Sequence, residues 1–552
     1  MEAKECKVRD ILTENKKYVI PRYQRPYSWG NDNAEQLIDD IYQSFKSNEK
    51  EYFIGSMICI NKGDNSFEVV DGQQRLTTLS LIVSQLSKAV KDKNPRLSED
   101  LQMRVLPVDV YSNKTHEPRL KVRAKESALY EHFILQGKDQ YRPDQPTDTE
   151  SLFLENFVII GKYLDNITKD ELANIAKYIL ENVFIVFVQT DDIPSSFRLF
   201  NVLNNRGLPL SNGDLLKNRL FEAARENNND AEQVDSSWAM IEDLVGVGDL
   251  DKFLTVHKLS EKKDRDRVLQ KGFDSYVNSL EKDFDSNAVQ MSNMLLNSAK
   301  NYTKLLEIDF QDQITHRQIT SLSLLSNEEW IPPLLAFLNR ISKTGNLTNK
   351  HFEEFLTCFE KVYMQGWLKK QVKSQREMVC YSALVAINTN LPLHKIIEHI
   401  TAHADSAGLA SALDANMYEP RPSQIKLVKA ILLRLDLEKQ DTSVIKTYTG
   451  RITIEHILPQ KISCPYWRNR FKTEDHMRWL HKLGNLTLIS GHKNSEAQNS
   501  DFDKKKSVYE KLNERSSFDI TRDLCQIEEW NIDQLTMRHE RMKQELMRIW
   551  SL

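Results

Sequence analysis

IEHILPQ (454–460) and HKLGNLTLISGHKN (481–494) give the clearest fold signal in the sequence. In the first piece a short β run ends in an adjacent carboxylate and imidazole, and a Pro turn follows. In the second, the β run LTLIS (486–490) opens into a polar, helix-like segment that includes AQNS (497–500). A strand, a loop, a strand and a helix would bring an acidic residue, a histidine and two asparagines together.

These residue types suit phosphodiester hydrolysis with one metal ion. A neutral imidazole, with a reference pKa of about 6.5, can accept a proton from water at physiological pH. A hard divalent cation held by oxygen ligands would neutralise the scissile phosphate and stabilise the leaving oxygen. A Glu-His pair at a strand end can also have no catalytic part, and the residues alone leave both interpretations open.

The motif EHILPQ…GNLTLISGHKN resembles the HNH (ββα-metal) nuclease motif, in the form found in the GmrD half of GmrSD-type restriction endonucleases. The spacing from Asn485 to Asn494 is also similar to that in the HNH domain of RNA-guided nucleases. The resemblance implies that His456 is the general base and that Glu455 and Asn494 hold Mg²⁺ or Mn²⁺. It also implies that Asn485 ties the loop that carries the histidine. Three further polar residues lie close by without an assigned role: His481, His492 and Asn499.

The segment around this motif is basic in an otherwise acidic chain. Residues 451–515 contain 13 Lys and Arg against 8 Asp and Glu, a net charge of +5, whereas the whole chain carries −4. Four aromatic residues interleave with the basic ones: Tyr466, Trp467, Phe471 and Trp479. Such a segment fits a nucleic-acid surface, although a solvated protein face has the same pattern. The lysine run KKK (504–506) is expected to be solvated, or to touch phosphate.

A second candidate site lies near the N-terminus, in VVDGQQRLTTL (69–79). VVDG ends a strand at a tight turn, and QQRLTTLSLI starts a helix whose free amides and dipole favour an anion. Arg75 adds a positive charge, and Asp71 could hold a metal or polarise water. Arg22 and Arg25 could approach the same phosphates. A solvated helix start is the alternative interpretation.

Three N-terminal motifs together resemble the GmrS half of the same restriction family, with its ParB/sulfiredoxin-like nucleotide-binding fold. They are PRYQRPYSW (21–29), DGQQRLTTL (71–79) and FNVLNNRGLPLSNGDLLKN (200–218), in the expected order. The resemblance implies a nucleoside triphosphate or DNA-sensing pocket formed by Asp71, Gly72, Gln73, Gln74 and Arg75, and lined by Tyr23, Gln24 and Arg25. Supporting residues would be Arg206, Asp214, Lys217 and Asn218, although Asp214 could be only a helix N-cap.

The rest of the chain indicates an α+β protein in three parts. Strands are predicted at 52–60, 67–70 and 182–190, and amphipathic helices dominate from about 225 to 440. The predicted domains are a GmrS-like domain (1–225), a helical spacer (226–440) and a GmrD-like HNH domain (441–552). The whole chain has 552 residues, 40% of them hydrophobic, which is enough for several packed cores.

Composition also limits the environment. No apolar run is long enough to cross a bilayer, and six scattered cysteines without a CxxC pair do not form a disulfide framework. We therefore expect a cytoplasmic protein without a membrane partner. Self-association into a homo-oligomer is a separate expectation.

The function that the resemblance implies is a modification-dependent (type IV) DNA endonuclease in anti-phage defence, with NTPase activity. Two alternatives remain: a toxin that nicks host DNA, and a DNA-binding regulator whose HNH domain is silent.

Overall fold

The computed structural model divides the chain into two compact units, residues 1–231 and 232–552. Contacts do not separate the helical segment from the C-terminal segment, so a boundary near residue 440 stays a prediction. The residues that the structure describes are 2–13, 15–21, 24, 26–108, 116–191, 212–224, 227–261, 276–278, 280, 282, 287–441, 445, 450–510 and 518–552.

The first unit is built on a mixed six-stranded sheet. Its strand order is β1-β6-β3-β4-β2-β5. The β1·β6 and β3·β4 pairs are antiparallel, and the other three neighbouring pairs are parallel. The strands are β1 Glu2–Lys7, β2 Lys17–Val19, β3 Tyr52–Asn61, β4 Ser66–Asp71, β5 Leu120–Lys121 and β6 Val183–Thr190. The strands predicted at 52–60, 67–70 and 182–190 are therefore confirmed.

Helices pack against this sheet, and α3 is central among them. It contacts α4, α6 and α7, and small polar residues such as Thr78 and Ser84 are buried along it together with its leucines. The helices are α1 Val8–Ile11, α2 Asn31–Lys46, α3 Gln73–Val90, α4 Pro95–Val105, α5 Ala124–Ala128, α6 Asp148–Asp165, α7 Lys169–Asn182 and α8 Asn212–Ala224. A π-helical turn, Leu129–Leu135, continues α5.

The second unit begins with the helical middle that the sequence predicts. Apolar residues recur at helical spacing, and the buried aromatic ladder Phe352, Phe355, Phe359 and Tyr363 on α14 is an example. The helices are α9 Asn228–Val245, α10 Leu250–Ser260, α11 Ala288–Leu306, α12 Gln313–Ser323, α13 Ile331–Thr344, α14 Asn349–Leu368, α15 Lys373–Asn388, α16 Leu393–Thr401, α17 Leu409–Asp414 and α18 Pro422–Glu438.

The C-terminal part contains an antiparallel strand pair followed by a helix. β7 pairs with β8 from Ile452↔Ser490 to His456↔Leu486. The segment predicted as a loop between the strands contains two short helices. The elements are β7 Ile452–His456, α19 Pro465–Arg470, α20 Thr473–Trp479, β8 Leu486–Ser490, α21 Gly491–Ala497, α22 Phe502–Glu510, α23 Asp519–Arg522 and α24 Ile532–Trp550.

The polar segment after β8 is two helices rather than one. α21 ends before Gln498, whose φ of 37° is left-handed. The Asp501 carboxylate then accepts the backbone N–H of Lys504 at 2.8 Å, which satisfies the first turn of α22.

Among the described residues, no helix combines the length and apolar character needed to cross a membrane. All six cysteines are free thiols, as their spacing predicts.

Candidate functional sites

The β7–β8 pair places the predicted carboxylate and imidazole at the end of a strand. Glu455 lies opposite Thr487, and His456 lies opposite Leu486. Both side chains are buried, with residue exposures of 5% and 6%. Burial next to Ile457 and Leu458, which belong to the core of this part, fixes the strand end in one position.

Asn485 connects the two strands through its side chain. Its Oδ1 accepts the backbone N–H of Leu458 at 2.7 Å, and its Nδ2 donates to the carbonyl oxygens of Leu458 (3.0 Å) and Leu480 (2.9 Å). The residue is fully buried. This is the kind of contact that the resemblance implies for Asn485, since Leu458 lies two residues beyond His456.

Lys505 corrects one expectation from the sequence. It was expected to be solvated as part of KKK (504–506), but its side chain is fully buried. Its ammonium donates to Glu455 Oε1 at 2.6 Å and to the His456 carbonyl oxygen at 2.7 Å. Tyr509 also donates to Glu455 Oε1, at 3.4 Å. A charge inside a protein needs such a partner, and helix α22 supplies it from a distant part of the sequence.

Burial disfavours the charged forms of both Glu455 and Lys505. Burial raises the pKa of Glu455, and the Lys505 ammonium opposes that shift. Burial lowers the pKa of Lys505, and the Glu455 carboxylate opposes it. The contact between them holds the strand end. It also means that Glu455 Oε1 is already occupied by the Lys505 ammonium.

The His456 ring lies in a small aromatic cluster. Its Nε2 is 3.4 Å from His481 Nδ1, and its Nδ1 is 3.5 Å from Gln460 Nε2. The Tyr418 ring meets His456 edge-on at 4.6 Å and stacks on His481 at 5.6 Å, centroid to centroid. Burial, and next the neighbouring His481, lower the pKa of His456 to about 3, so the imidazole is neutral at physiological pH.

Helix α24 also supports this site, a role that no sequence motif predicts. Arg538 Nη1 donates to the carbonyl oxygens of Gly484 (2.6 Å) and Leu486 (2.9 Å). His539 Nδ1 accepts the Gly484 N–H at 3.2 Å. A Cβ on Gly484 would lie 2.6 Å from the Cβ of His539, so α24 packs directly on the turn before β8.

Two of the predicted aromatic residues are core rather than surface. Trp467 and Phe471 are buried at 0% and 3% exposure and belong to the hydrophobic core of the C-terminal part. Tyr466 and Trp479 are half-buried. The basic residues exposed nearby are Arg451, Lys461, Arg468, Lys472 and Arg478. Any nucleic-acid surface here would therefore depend on charge more than on aromatic stacking.

The remaining predicted residues of this site are only partly described. Asn494 and His492 lie on α21, directly after β8, but their side chains fall outside the described residues. Asn499 is exposed in the turn between α21 and α22.

In the first unit, the strand–turn–helix predicted for VVDGQQR is present. β4 ends at Asp71, Gly72 adopts a left-handed φ of 87°, and α3 begins at Gln73. A Cβ on Gly72 would lie 3.0 Å from the Ser56 carbonyl oxygen, so the turn requires glycine for both conformation and space.

Polar side chains around this turn bind backbone groups of neighbouring segments. Gln24 Nε2 donates to the Val70 carbonyl oxygen at 2.7 Å. Gln74 Oε1 accepts the N–H groups of Ser28 (2.9 Å) and Trp29 (3.2 Å), and its Nε2 donates to the Pro26 carbonyl oxygen. The two glutamines therefore connect Gln24 and residues 26–29 to the end of β4 and the start of α3.

Arg75 and Asp71 face one another on this turn. Arg75 Nη2 lies 3.9 Å from Asp71 Oδ2, and Nη1 donates to the Ile54 carbonyl oxygen at 3.0 Å. Gly55 makes room for the guanidinium, because a Cβ there would lie only 2.1 Å from Nη1. Both side chains remain partly exposed, at 26% and 18%.

Gln73 points to a different place, a cavity of about 10 Å³ bordered by Tyr27, Thr77, Arg123 and Glu126. That volume holds about one water molecule. Gln73 therefore borders a small recess in this structure.

Several predicted residues of the first unit lie outside the described residues: Arg22, Tyr23, Arg25 and Arg206, with most of the motif at 200–218. On α8, Asp214 lies in the first turn, and Lys217 and Asn218 are buried.

Two models of known protein families match parts of the chain. Residues 8–221 match the GmrSD restriction endonuclease N-terminal domain, and residues 405–545 match the GmrSD restriction endonuclease C-terminal domain. No curated protein sequence gives a significant match. By class, the protein is a restriction endonuclease, an enzyme whose substrate is DNA.

More narrowly, the chain belongs to the GmrSD family, with the N-terminal and C-terminal domains of that family in one polypeptide.

Proposed function

We propose that the protein is a metal-dependent HNH endonuclease that cuts modified DNA in anti-phage defence, under the control of a nucleoside triphosphate bound by its N-terminal domain. The observation that supports the nuclease assignment most directly is the placement of His456 at the end of β7, next to the Glu455 carboxylate and ahead of β8 and α21.

In this proposal His456 takes the proton from the attacking water. The ring is unprotonated at physiological pH, and the fixed strand end holds it in one place. Asn485 acts as a positioning residue, because it ties Leu458 to the turn before β8. Proton transfer to a positioned base contributes about 10²–10⁴-fold to a rate.

The donor set suits a hard divalent cation, with one restriction. Glu455 and Asn494 would offer a carboxylate and an amide oxygen, which Mg²⁺ or Mn²⁺ prefers. Glu455 Oε1 already accepts from the Lys505 ammonium. A cation bound there supplies charge neutralisation at the phosphate and at the leaving oxygen.

The nucleotide proposal depends on Asp71–Arg75. The start of α3 presents backbone N–H groups, and the partly exposed Arg75 guanidinium adds a positive charge beside them. The family resemblance of PRYQRPYSW and DGQQRLTTL supports a triphosphate as the anion. The buried roles of Gln24 and Gln74 make them positioning residues for this turn.

The test compares His456→Ala with His399→Ala, which removes an exposed histidine of the helical middle. Purified protein with Mg²⁺ or Mn²⁺ should cut phage DNA containing modified cytosine, and EDTA should abolish cutting. His456→Ala should lose cleavage by at least about 10²-fold while DNA binding stays near wild type. His399→Ala should cut normally. Cleavage by His456→Ala within a few-fold of wild type would remove the histidine from the mechanism.

The same assay separates the alternatives. Equal cutting of unmodified plasmid, together with lethality in an unmodified host, would favour a host-DNA-nicking toxin. Binding without cutting under any metal condition would favour a regulator with a silent HNH domain.

A further inference from the structure

We propose that His481 is the positioning residue that fixes the tautomer of His456, and this inference rests on the proposed nuclease function. His456 Nε2 and His481 Nδ1 are 3.4 Å apart, within hydrogen-bonding distance. In a hydrogen bond between them, either His456 Nε2 or His481 Nδ1 must carry the proton. The other contacts of His456 decide which nitrogen is the donor.

The direction follows from Gln460. Its Nε2 lies 3.5 Å from His456 Nδ1, and an amide NH₂ can only donate. His456 Nδ1 is then the unprotonated nitrogen, and the proton of the neutral ring is on Nε2. His456 Nε2–H therefore donates to His481 Nδ1. The Gln460 contact is long, so a water molecule can replace it at the Nδ1 lone pair.

His481 is itself held by contacts that do not involve the ring nitrogens of His456. Its carbonyl oxygen accepts the N–H groups of Met417 (2.8 Å) and Tyr418 (3.3 Å). The Tyr418 ring stacks on its imidazole with an interplanar angle of 20°. A fixed acceptor of this kind is what a general base needs, because the hydrogen bond at one ring nitrogen decides which nitrogen can take a proton.

The position of His481 explains why the HNH resemblance does not include it. It lies between α20 and β8, outside the Glu455–His456 and Asn485–Asn494 pieces. Its backbone is anchored by the segment between α17 and α18, which precedes the nuclease motif in sequence.

Two substitutions separate the hydrogen bond from the packing. His481→Phe keeps a ring for Tyr418 to stack on and removes the acceptor. His481→Asn removes the ring and keeps an acceptor oxygen close to the position of Nδ1. We expect His481→Phe to lower kcat roughly 10- to 100-fold with KM for DNA nearly unchanged, and His481→Asn to stay within a few-fold of wild type.

Imidazole ¹⁵N NMR of the full chain gives a readout that does not depend on cutting. The His456 signal, assigned by its loss in His456→Ala, should show the Nε2–H tautomer in wild type and in His481→Asn. In His481→Phe it should show a mixture of tautomers. If wild type does not cut DNA, the nuclease proposal fails and the tautomer measurement still decides the role of His481.

Two results would overturn the inference. One is a wild-type His456 signal of the Nδ1–H form. The other is an equal loss of kcat in the Phe and Asn variants, since that would assign His481 to packing alone. If His481→Phe does not fold, His481→Leu removes the acceptor in a smaller side chain, and cutting at the wild-type rate by that variant would also contradict the proposal.

Discussion

The Lys505 ammonium is the least expected group of the C-terminal site, because it lies in a run of three lysines and yet is fully buried. Of its neighbours, Lys504 is exposed, whereas Lys506 donates to the carbonyl oxygens of Ile527 and Glu528. Position on α22 therefore decides which of three identical side chains enters the protein. A buried ion pair adds little net stability over an apolar pair, but removal of one partner is costly.

We expect Lys505→Met to lower the free energy of unfolding by about 3–5 kcal/mol, because it leaves the Glu455 carboxylate buried without its cation. Urea unfolding of the full chain measures this change. Lys504→Met is the matched control and should unfold like wild type. The double variant Lys505→Met/Glu455→Gln should recover part of the loss, and equal stabilities of the two single lysine variants would contradict the buried pairing.

The sequence predicts this site where the contacts are local and misses it where they are distant. Glu455, His456 and Asn485 are recognisable because each lies in a short motif of strand and turn residues. Lys505 and Arg538 act on that motif from helices 50 and more residues further on, and a charged residue on an amphipathic helix usually faces water. Nothing in a lysine run distinguishes the one that is buried.

At the scale of elements, α24 forms a direct contact with the turn before β8. Arg538 and His539 bind both backbone groups of Gly484, and the helix backbone leaves no space for a side chain there. At its other end α24 joins the helical middle, where Trp550 Nε1 donates to Glu360 Oε1 at 3.2 Å and Gln365 donates to the Trp550 carbonyl oxygen at 2.8 Å. One helix thus connects the site to the helices before it.

Gly484→Ala should displace α24 from the turn and so move Asn485, because the new Cβ would lie 2.6 Å from His539 Cβ. Overpacking of this kind costs about 1–3 kcal/mol. We expect a lower melting temperature and slower DNA cleavage. Gly450→Ala serves as the control, since a Cβ there has no heavy atom within 4 Å. Unchanged cleavage by Gly484→Ala would show that the turn tolerates the shift.

The sequence predicts some of the strands and helices and misses others. β3, β4, β6, β7 and β8 have the β-branched and aromatic runs that indicate strands. β1 and β2 were not predicted, because EAKECK and KYV are polar or very short. The helices α19 and α20 have six and seven residues, too few for a helical period to be visible.

At the scale of the whole molecule, the two candidate sites belong to different units of the chain, Asp71–Arg75 to residues 1–231 and Glu455–His456 to residues 232–552. A nucleotide can control cutting only if it binds two states of the chain unequally. The coupling is then reciprocal in binding free energy, so DNA should also change the affinity for nucleotide.

Arg75→Ala should lose nucleotide hydrolysis and the nucleotide dependence of cutting, while the His456 site stays intact. His456→Ala should lose cutting and keep nucleotide hydrolysis. Both activities are measured in both variants, with and without a nucleoside triphosphate. Normal hydrolysis and a wild-type nucleotide response in Arg75→Ala would leave the DGQQR turn with a structural or DNA-reading role.

Stability of the chain should fall in mild acid because several histidines are buried in the neutral form. Burial lowers the pKa of His257, whose Nδ1 is 2.8 Å from Ser298 Oγ in the helical middle. The unfolded chain takes up a proton near pH 6.5 and the folded chain does not, so stability is full above that pH and decreases below it.

We expect His257→Phe to reduce this acid sensitivity by about 1.4 kcal/mol per pH unit below pH 6.5, since one buried site no longer titrates. Melting of the full chain between pH 7.5 and pH 5.5 measures the slope. His399→Phe, at an exposed position, should leave the slope unchanged. An identical slope in wild type and His257→Phe would mean that His257 is charged in the folded protein or plays no part.

The contact between α24 and Gly484 also has a consequence for synthesis on the ribosome. Translation produces His456 before it produces Arg538 and His539, the residues that complete the support of the turn before β8. A nascent chain therefore contains the Glu455–His456 strand end before the site has its full support. For an enzyme that cuts DNA, this order of synthesis would complete the site only after the N-terminal domain has been made.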